Sequence, residues 1–588
     1  MRRFKEIRNT VLAGLKAQPC DLKLKNVRLV NVCSREIYPT DIYIHHGRVV
    51  SIDPDADLPS LQVMDCGGKY ALPGLIDTHM HFETTMLSPE ALASLVTPKG
   101  TTTLCADLME IANVAGEAGL KAMLDSMGKL PYRILIEVSS RVPTAPGLET
   151  TGAALGPKEV RNILDWPESI SLGELDPSKI LLVKDEYIQK IADTLARRKI
   201  VNGHAIGRMG QELNVYASAG ISDDHECVNA DEMIERLRLG MRVLIREGST
   251  ERNADVLLRA VIEQAVPLDG LCFCTDDKHP TDIYREGHIN YIVRRAIELG
   301  MRPTDAISIA TINAARHVRM DDEIGSITPG RRADILLMDH LERMEPDMVF
   351  YEGKLAAKNN TLTVDCPIRN YPDWIRDTVH LKKPVSADTF SVVAAKPNKT
   401  NRVTAIELID RQIINRRITA LVPAVNGNLL ADVKNDILKL AVVERYGKNG
   451  NVGIGFVKGF QLKEGALAFS TSHDHHNIVV VGANDGDMAL AVNEVVRLHG
   501  GLAAAKDSRI LKSMSLPIGG LMSEKSAEEV MRELNGLNQA ASELGCPLEA
   551  PFMVLSFISL PTVPELGLTD MGLVDVLQHR LIPLAAEE

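Results

Sequence analysis

The chain has 588 residues, of which 45% are hydrophobic and 24% charged, with a formal net charge of −12. This is an ordinary globular composition, with room for several domains at ~100–200 residues each. The negative balance argues against a nucleic-acid surface, and no run of ~18 apolar residues reads as a membrane span.

Residues 1–21, with "MRRFKEIRNTVLAGLKAQ", have the pattern of a short amphipathic helix. They lack the continuous apolar stretch of a secretory signal. Residues 22–71 alternate as strands do, in "LKLKNVRLVNV", "DIYIHHGRVVSID" and "QVMDCGGKYAL". From 72 to 320, eight apolar runs alternate with helical stretches. The runs are "GLIDTHMHFE", "TTTLCADLME", "YRILIEVSS", "SISLGELD", "IVNGHAIG", "GISDDHEC", "RVLIREGS" and "GLCFCTDD". Eight strand–helix units predict an α/β fold built on a (β/α)8 barrel. Residues 321–385 return to strand patterning, and 386–588 mix strands such as "NIVVVGA" with helices, as an α+β domain would. The nine cysteines are scattered. Several lie in apolar runs (Cys105, Cys272, Cys274), which suits free buried thiols in a reducing, cytoplasmic compartment.

Chemistry concentrates at the ends of these strands, where barrel active sites form. His79 and His81 lie two apart on the first strand, so both side chains face the same way. By itself an H-x-H is weak. The intervals that follow strengthen it: 93 residues from His81 to Glu174, 30 to His204, 21 to His225 and 51 to Asp276. At about 31 residues per barrel unit, these are three, one, one and two units. Each residue then falls at the end of its own strand: 1, 4, 5, 6 and 8. The set of imidazoles and carboxylates suits Mn, Fe or Zn and disfavours a four-cysteine structural zinc. Glu174 could bridge two cations, which would turn water into hydroxide near neutral pH. Asp276 could then take a proton from that water and deliver it to a leaving group. Its neighbour Asp277 is the fallback, because register is uncertain by one residue.

Other strand-end residues carry two readings each. Glu83 follows the H-x-H on the same strand face, either as a catalytic candidate that touches substrate or bridges to a ligand, or as a plain hydrogen-bond acceptor behind the ligands. Arg246 and Glu247 end strand 7, to fix a substrate edge or to form an ion pair at the rim. Asp107 and Glu110 lie at the end of strand 2, where helix capping is the plain alternative. His473 and His476, in "SHDHHN" before an apolar strand, either reach over the barrel mouth or belong to an ordinary loop. Lys184 lies in a stretch of helical periodicity and reads as a solvated helix residue. The zinc deaminases that use H-x-E and P-C-x-x-C are excluded, because no P-C-x-x-C exists here. Neither a Rossmann fingerprint nor a Walker sequence is present.

With "PGLIDTHMH", "ATINAAR" and "GSITPGRRADILLMD", the chain resembles the amidohydrolase superfamily. "GQELNVYASAGISDDHE", "GALAFSTSHDHHNIVVVG" and "LPIGGLMS" extend the resemblance over nearly the whole chain to the bacterial adenine deaminases. That resemblance implies a small β-sandwich domain from segments 22–71 and 321–385, a barrel over 72–320, and a C-terminal domain over 386–588 that closes the site. It implies two divalent metal ions, Mn or Fe with Zn possible, and conversion of adenine to hypoxanthine and ammonia. Glu174 matches the family's strand-4 glutamate, and a homo-oligomer, a dimer, is the expected assembly. One departure stands out. Where the family shows D-P-H-E, this chain has Asp107-Leu108-Met109-Glu110. The departure leaves open another aminopurine as substrate, or a homologue that binds without turnover.

Overall fold

In the computed structural model, residues 4–127, 129–409, 415–562 and 565–586 are described. The eight expected barrel strands are β1 (Leu75–Met80), β2 (Thr101–Asp107), β3 (Arg133–Val138), β4 (Ser169–Leu175), β5 (Ile200–Gly203), β6 (Asp223–Asp224), β7 (Arg242–Arg246) and β8 (Leu271–Cys274). Strands β1 to β5 pair in sequence in one parallel arc, and β6 to β8 in another. Asp276 closes the seam between β8 and β1. Its amide donates to the His79 carbonyl at 3.0 Å, and its own carbonyl accepts from His81 N at 3.2 Å. At the other seam Ser222 N donates to the Val201 carbonyl at 2.8 Å. There β5 and β6 approach so closely that a Cβ on Gly203 would lie 2.1 Å from the Asp223 carbonyl oxygen. No larger residue fits without moving the strands.

Every residue of β2 is buried, as expected of a parallel strand covered on both faces. The helices outside the barrel present one apolar stripe each. Helix Asp185–Ala196 buries Tyr187, Ile191 and Thr194, three or four residues apart. Lys184 is exposed at the N-cap position of that helix and makes no side-chain cap. Helix Ala230–Arg238 opens on Asn229, whose side chain accepts from Glu232 N.

Both flanks of the barrel meet in one nine-stranded sheet. Strand Tyr70–Pro73 leads into the barrel and pairs antiparallel with strand Ile335–Met338, which follows it. The sheet buries Leu24, Val27 and Ile42 with Ile335 and Phe350.

The C-terminal region builds a second nine-stranded sheet, and strand periodicity decides how it docks. In strands Leu438–Val443, Ala466–Phe469 and Ile478–Gly482, one set of alternate residues (Ala441, Val443, Ala468, Val480) packs on helix Asp485–Arg497. The other set (Leu440, Val442, Leu467, Val479) joins a core shared with Leu92, Leu108 and Ile111 of the barrel. The barrel and the C-terminal domain therefore share one apolar core. The turn between strands Ala466–Phe469 and Ile478–Gly482 carries "SHDHHN" to the barrel mouth. Among the described residues, no helix is long and apolar enough to cross a membrane.

Candidate active site

The six residues expected at the strand ends converge. Glu174 Oε1 lies 3.1 Å from His79 Nε2, 3.3 Å from His81 Nε2, 3.1 Å from His225 Nε2 and 3.7 Å from His204 Nδ1. Asp276 Oδ1 is 3.5 Å from His79 Nε2 and 3.7 Å from His81 Nε2. These are separations that donor atoms around a common cation take. Two overlapping groups result: His79, His81, Glu174 and Asp276, and Glu174, His204 and His225. They share Glu174. Among the described residues, His204 Nδ1 and both ring nitrogens of His225 are buried without a hydrogen-bond partner. Such atoms fit a metal, which satisfies an imidazole lone pair where no hydrogen-bond donor does.

Neighbours outside the expected set fix how these ligands point. His79 Nδ1 is 2.6 Å from Glu137 Oε2, at the end of β3. His81 Nδ1 is 3.1 Å from the Asp107 carbonyl. Both rings therefore turn Nε2 inward. Arg141, just beyond β3, bonds the second oxygen of Glu174. Arg246 donates to Asp276 Oδ2 at 2.7 Å and to both oxygens of Glu226, at 3.0 and 2.9 Å. Glu226 Oε1 in turn lies 3.2 Å from His204 Nδ1 and 3.3 Å from His225 Nε2. Sequence reasoning missed Glu137, Arg141 and Glu226. The only signal each carried was a charged residue in or next to a buried strand end.

The electrostatics follow from burial and pairing. Burial alone would raise the Asp276 carboxyl, but the His79 hydrogen bond and the Arg246 guanidinium hold it well below the usual carboxylate range. Burial likewise opposes ionisation of Glu226, yet Arg246 and His204 bring it down to about 2. Next door, burial and the Asp276 charge push Asp277 well above its ordinary value. Burial also pushes Asp107 up to about 7, and it keeps His473 and His476 below the ordinary imidazole value.

A cavity opens onto this centre. His81, Glu174, His204 and Asp276 line one part of it, and Met109, Glu110, His473 and Phe557 another. Helix Met109–Met127 follows β2 and places Met109 and Glu110 in its first turn. His473 stacks on Phe557 with ring centroids 4.5 Å apart. His476 is fully buried behind it.

Two expected contacts are placed elsewhere. Glu83 is not on β1. The chain turns after His81 into a short 3-10 helix, Phe82–Thr85, and Glu83 accepts from Ile111 N at 3.3 Å. It lines a smaller neighbouring cavity with His473 and Phe557. Glu247 turns away from the centre, accepts from Ala254 N at 3.2 Å and pairs with Arg252, because strand alternation puts it on the face opposite Arg246. Arg246 lines the main cavity, where it is buried and paired with Glu226 and Asp276.

Comparison with known proteins agrees with this architecture. Residues 70–366 match the amidohydrolase family and residues 412–580 the adenine deaminase C-terminal domain. An adenine deaminase of Desulforamulus reducens is 53% identical, covering 97% of this chain and 97% of the relative. One from Moorella thermoacetica is 41% identical over 96% of each chain, and one from Methanococcoides burtonii 38% over 99% of each. A solved amidohydrolase aligns with a TM-score of 0.44 at 18% identity, covering 57% of this chain and 99% of its own. With a barrel of amidohydrolase type and a matching C-terminal domain, the chain belongs to the adenine deaminase family.

Proposed function

We propose that this protein hydrolyses adenine to hypoxanthine and ammonia. One observation carries the reading: four imidazoles and Asp276 converge on Glu174 beneath a cap of C-terminal residues, in a chain that matches an adenine deaminase over 97% of its length. His79, His81, Glu174 and Asp276 would hold one divalent ion, and Glu174, His204 and His225 a second. Mn or Fe suits the donor set, and Zn is acceptable. When bound, such ions supply a nucleophile by lowering the pKa of water.

The chain's own residues do the rest. Arg246 ties Asp276 Oδ2, so Oδ1 faces the ligands. Asp276, ionised in the folded protein, accepts a proton from water and returns it to the departing amine. Arg141 holds one Glu174 oxygen and leaves the other at the centre of the imidazoles. Glu110, His473 and Phe557 bound the space for a flat ring and exclude water from it. The nine free cysteines support a cytoplasmic enzyme, and a homodimer is the assembly this reading carries.

Met109 favours a second reading. It lines the cavity where the family motif has a histidine, and a thioether offers only weak hydrogen bonding. An apolar wall there suits a modified aminopurine. The test is ammonia release by the Mn-loaded protein from adenine, other aminopurines and cyclic amides. Adenine as the best substrate, with hypoxanthine as product, supports the first reading. A faster modified aminopurine supports the second, and no ammonia from any aminopurine overturns both.

A further inference from the structure

Glu110, His473 and His476 belong to neither metal group described above. Glu110 comes from the barrel, on the first turn of helix Met109–Met127. The two histidines come from the C-terminal turn between strands Ala466–Phe469 and Ile478–Gly482. All three are buried, with exposures of 1%, 4% and 0%. One donor atom from each lies within 4.8 Å of the others, and His473 Nδ1 is 3.6 Å from Glu110 Oε1.

The polar atoms of Glu110 and His476 have nothing to bond. Among the described residues, neither oxygen of Glu110 and neither ring nitrogen of His476 has a hydrogen-bond partner. The barrel imidazole beside Glu110 is no substitute. His81 Nδ1 lies 3.6 Å from Glu110 Oε2, but it is 3.1 Å from the Asp107 carbonyl and is engaged there. Nor does the buried guanidinium of Arg445 near His476 serve: its Nη2 donates to the Gly519 carbonyl at 3.0 Å, and its Nε and Nη1 bond nothing among the described residues, His476 included. A buried carboxylate with no donor is costly, and a buried imidazole with two idle nitrogens adds to that cost.

We propose that Glu110, His473 and His476 form a third divalent-cation site, distinct from the barrel pair and built across the junction of the two domains. One carboxylate and two imidazoles suit Mn, Fe or Zn and disfavour Mg or Ca, which prefer all-oxygen shells. The ion would neutralise the Glu110 charge and give each histidine a partner. It would also fasten the C-terminal turn to the barrel mouth. Glu110 and His473 line the main cavity, so three protein ligands leave a coordination position open to it. The site shares no ligand with the barrel pair, although Glu110 and His473 also bound the space given above to the substrate ring.

The experiment is metal analysis of the full chain, loaded with Mn(II), freed of unbound ion by gel filtration and measured by mass spectrometry. The wild type should carry three equivalents, and Glu110→Gln and His476→Asn two each. A His81→Asn/His225→Asn variant, which damages both barrel groups, should keep one equivalent, and adding Glu110→Gln should remove it. Should His476→Asn fail to fold by circular dichroism, the near-isosteric Glu110→Gln decides alone. Loss of one equivalent on that change supports the site whatever the barrel holds. A wild type carrying only one ion, lost with Glu110→Gln, would sink the two-metal barrel and keep this site. Equal metal in wild type and Glu110→Gln overturns the proposal.

Discussion

His79 presents Nδ1 to Glu137 Oε2 at 2.6 Å and Nε2 to Glu174 Oε1 at 3.1 Å, so one ring joins a buried orienting carboxylate to the candidate metal centre. An acceptor at Nδ1 keeps the proton there and leaves the Nε2 lone pair free for a metal. Glu137→Ala should therefore weaken metal binding by roughly 10–100-fold, read by competition with a chelator. Glu137→Gln should lose less, since its amide oxygen can still accept. Equal chelator resistance in all three proteins would remove Glu137 from this role.

Glu174 is the residue both barrel groups share. Glu174→Gln keeps the shape and loses the charge that four imidazoles and Arg141 surround. Metal analysis should show at least one barrel equivalent missing, with deamination lost. Full metal content and full activity would refute bridging.

Asp276 should matter for turnover more than for folding. General acid–base groups contribute typically ~10²–10⁴-fold, so Asp276→Asn should lower kcat by that order while the protein stays folded by circular dichroism. Asp277→Asn is the control. Its carboxyl lines the same cavity but is pushed toward the neutral form, so its loss should cost less. A reversed order would transfer the proton-shuttling role to Asp277.

Met109 gives the substrate prediction. A missing hydrogen bond in a closed site costs ~1–3 kcal/mol, or roughly ten- to a hundredfold. Met109→His, with Leu108→Pro if the turn needs it, should raise kcat/KM for adenine within that range. A high native kcat/KM that Met109→His leaves flat would mean that Met109 only packs at the rim.

Removing the C-terminal domain should do more than open the site. Leu440, Val442, Leu467 and Val479 share a core with Leu92, Leu108 and Ile111. A barrel cut at residue 385 exposes that apolar surface and should aggregate during expression. His473→Ala in the full chain is the gentler change, and it should lower kcat/KM for adenine while leaving the barrel metals in place. A soluble, monodisperse and active 1–385 fragment would contradict the shared core.

Much of this protein was legible in its sequence. Alternating apolar runs at a spacing near 31 residues set out eight strand–helix units, because a barrel repeats the same unit and buries both faces of each strand. The same spacing put His79, His81, Glu174, His204, His225 and Asp276 at strand ends, where a barrel's geometry makes residues distant in sequence neighbours in space. Local alternation was less reliable past a strand's end. It carried Glu83 onto β1, whereas the chain turns into a 3-10 helix after His81. It also left Arg246 and Glu247 as equals, although only one of two adjacent strand residues can face the centre. The partners that aim the ligands were beyond reach. Glu137, Arg141 and Glu226 act through distances of a few ångströms between separate strands, and one residue of register moves a side chain to the opposite face. The meeting of Glu110 with His473 and His476 was equally hidden. More than 360 residues separate them, and only the packing of one sheet face onto the barrel brings that turn to the mouth.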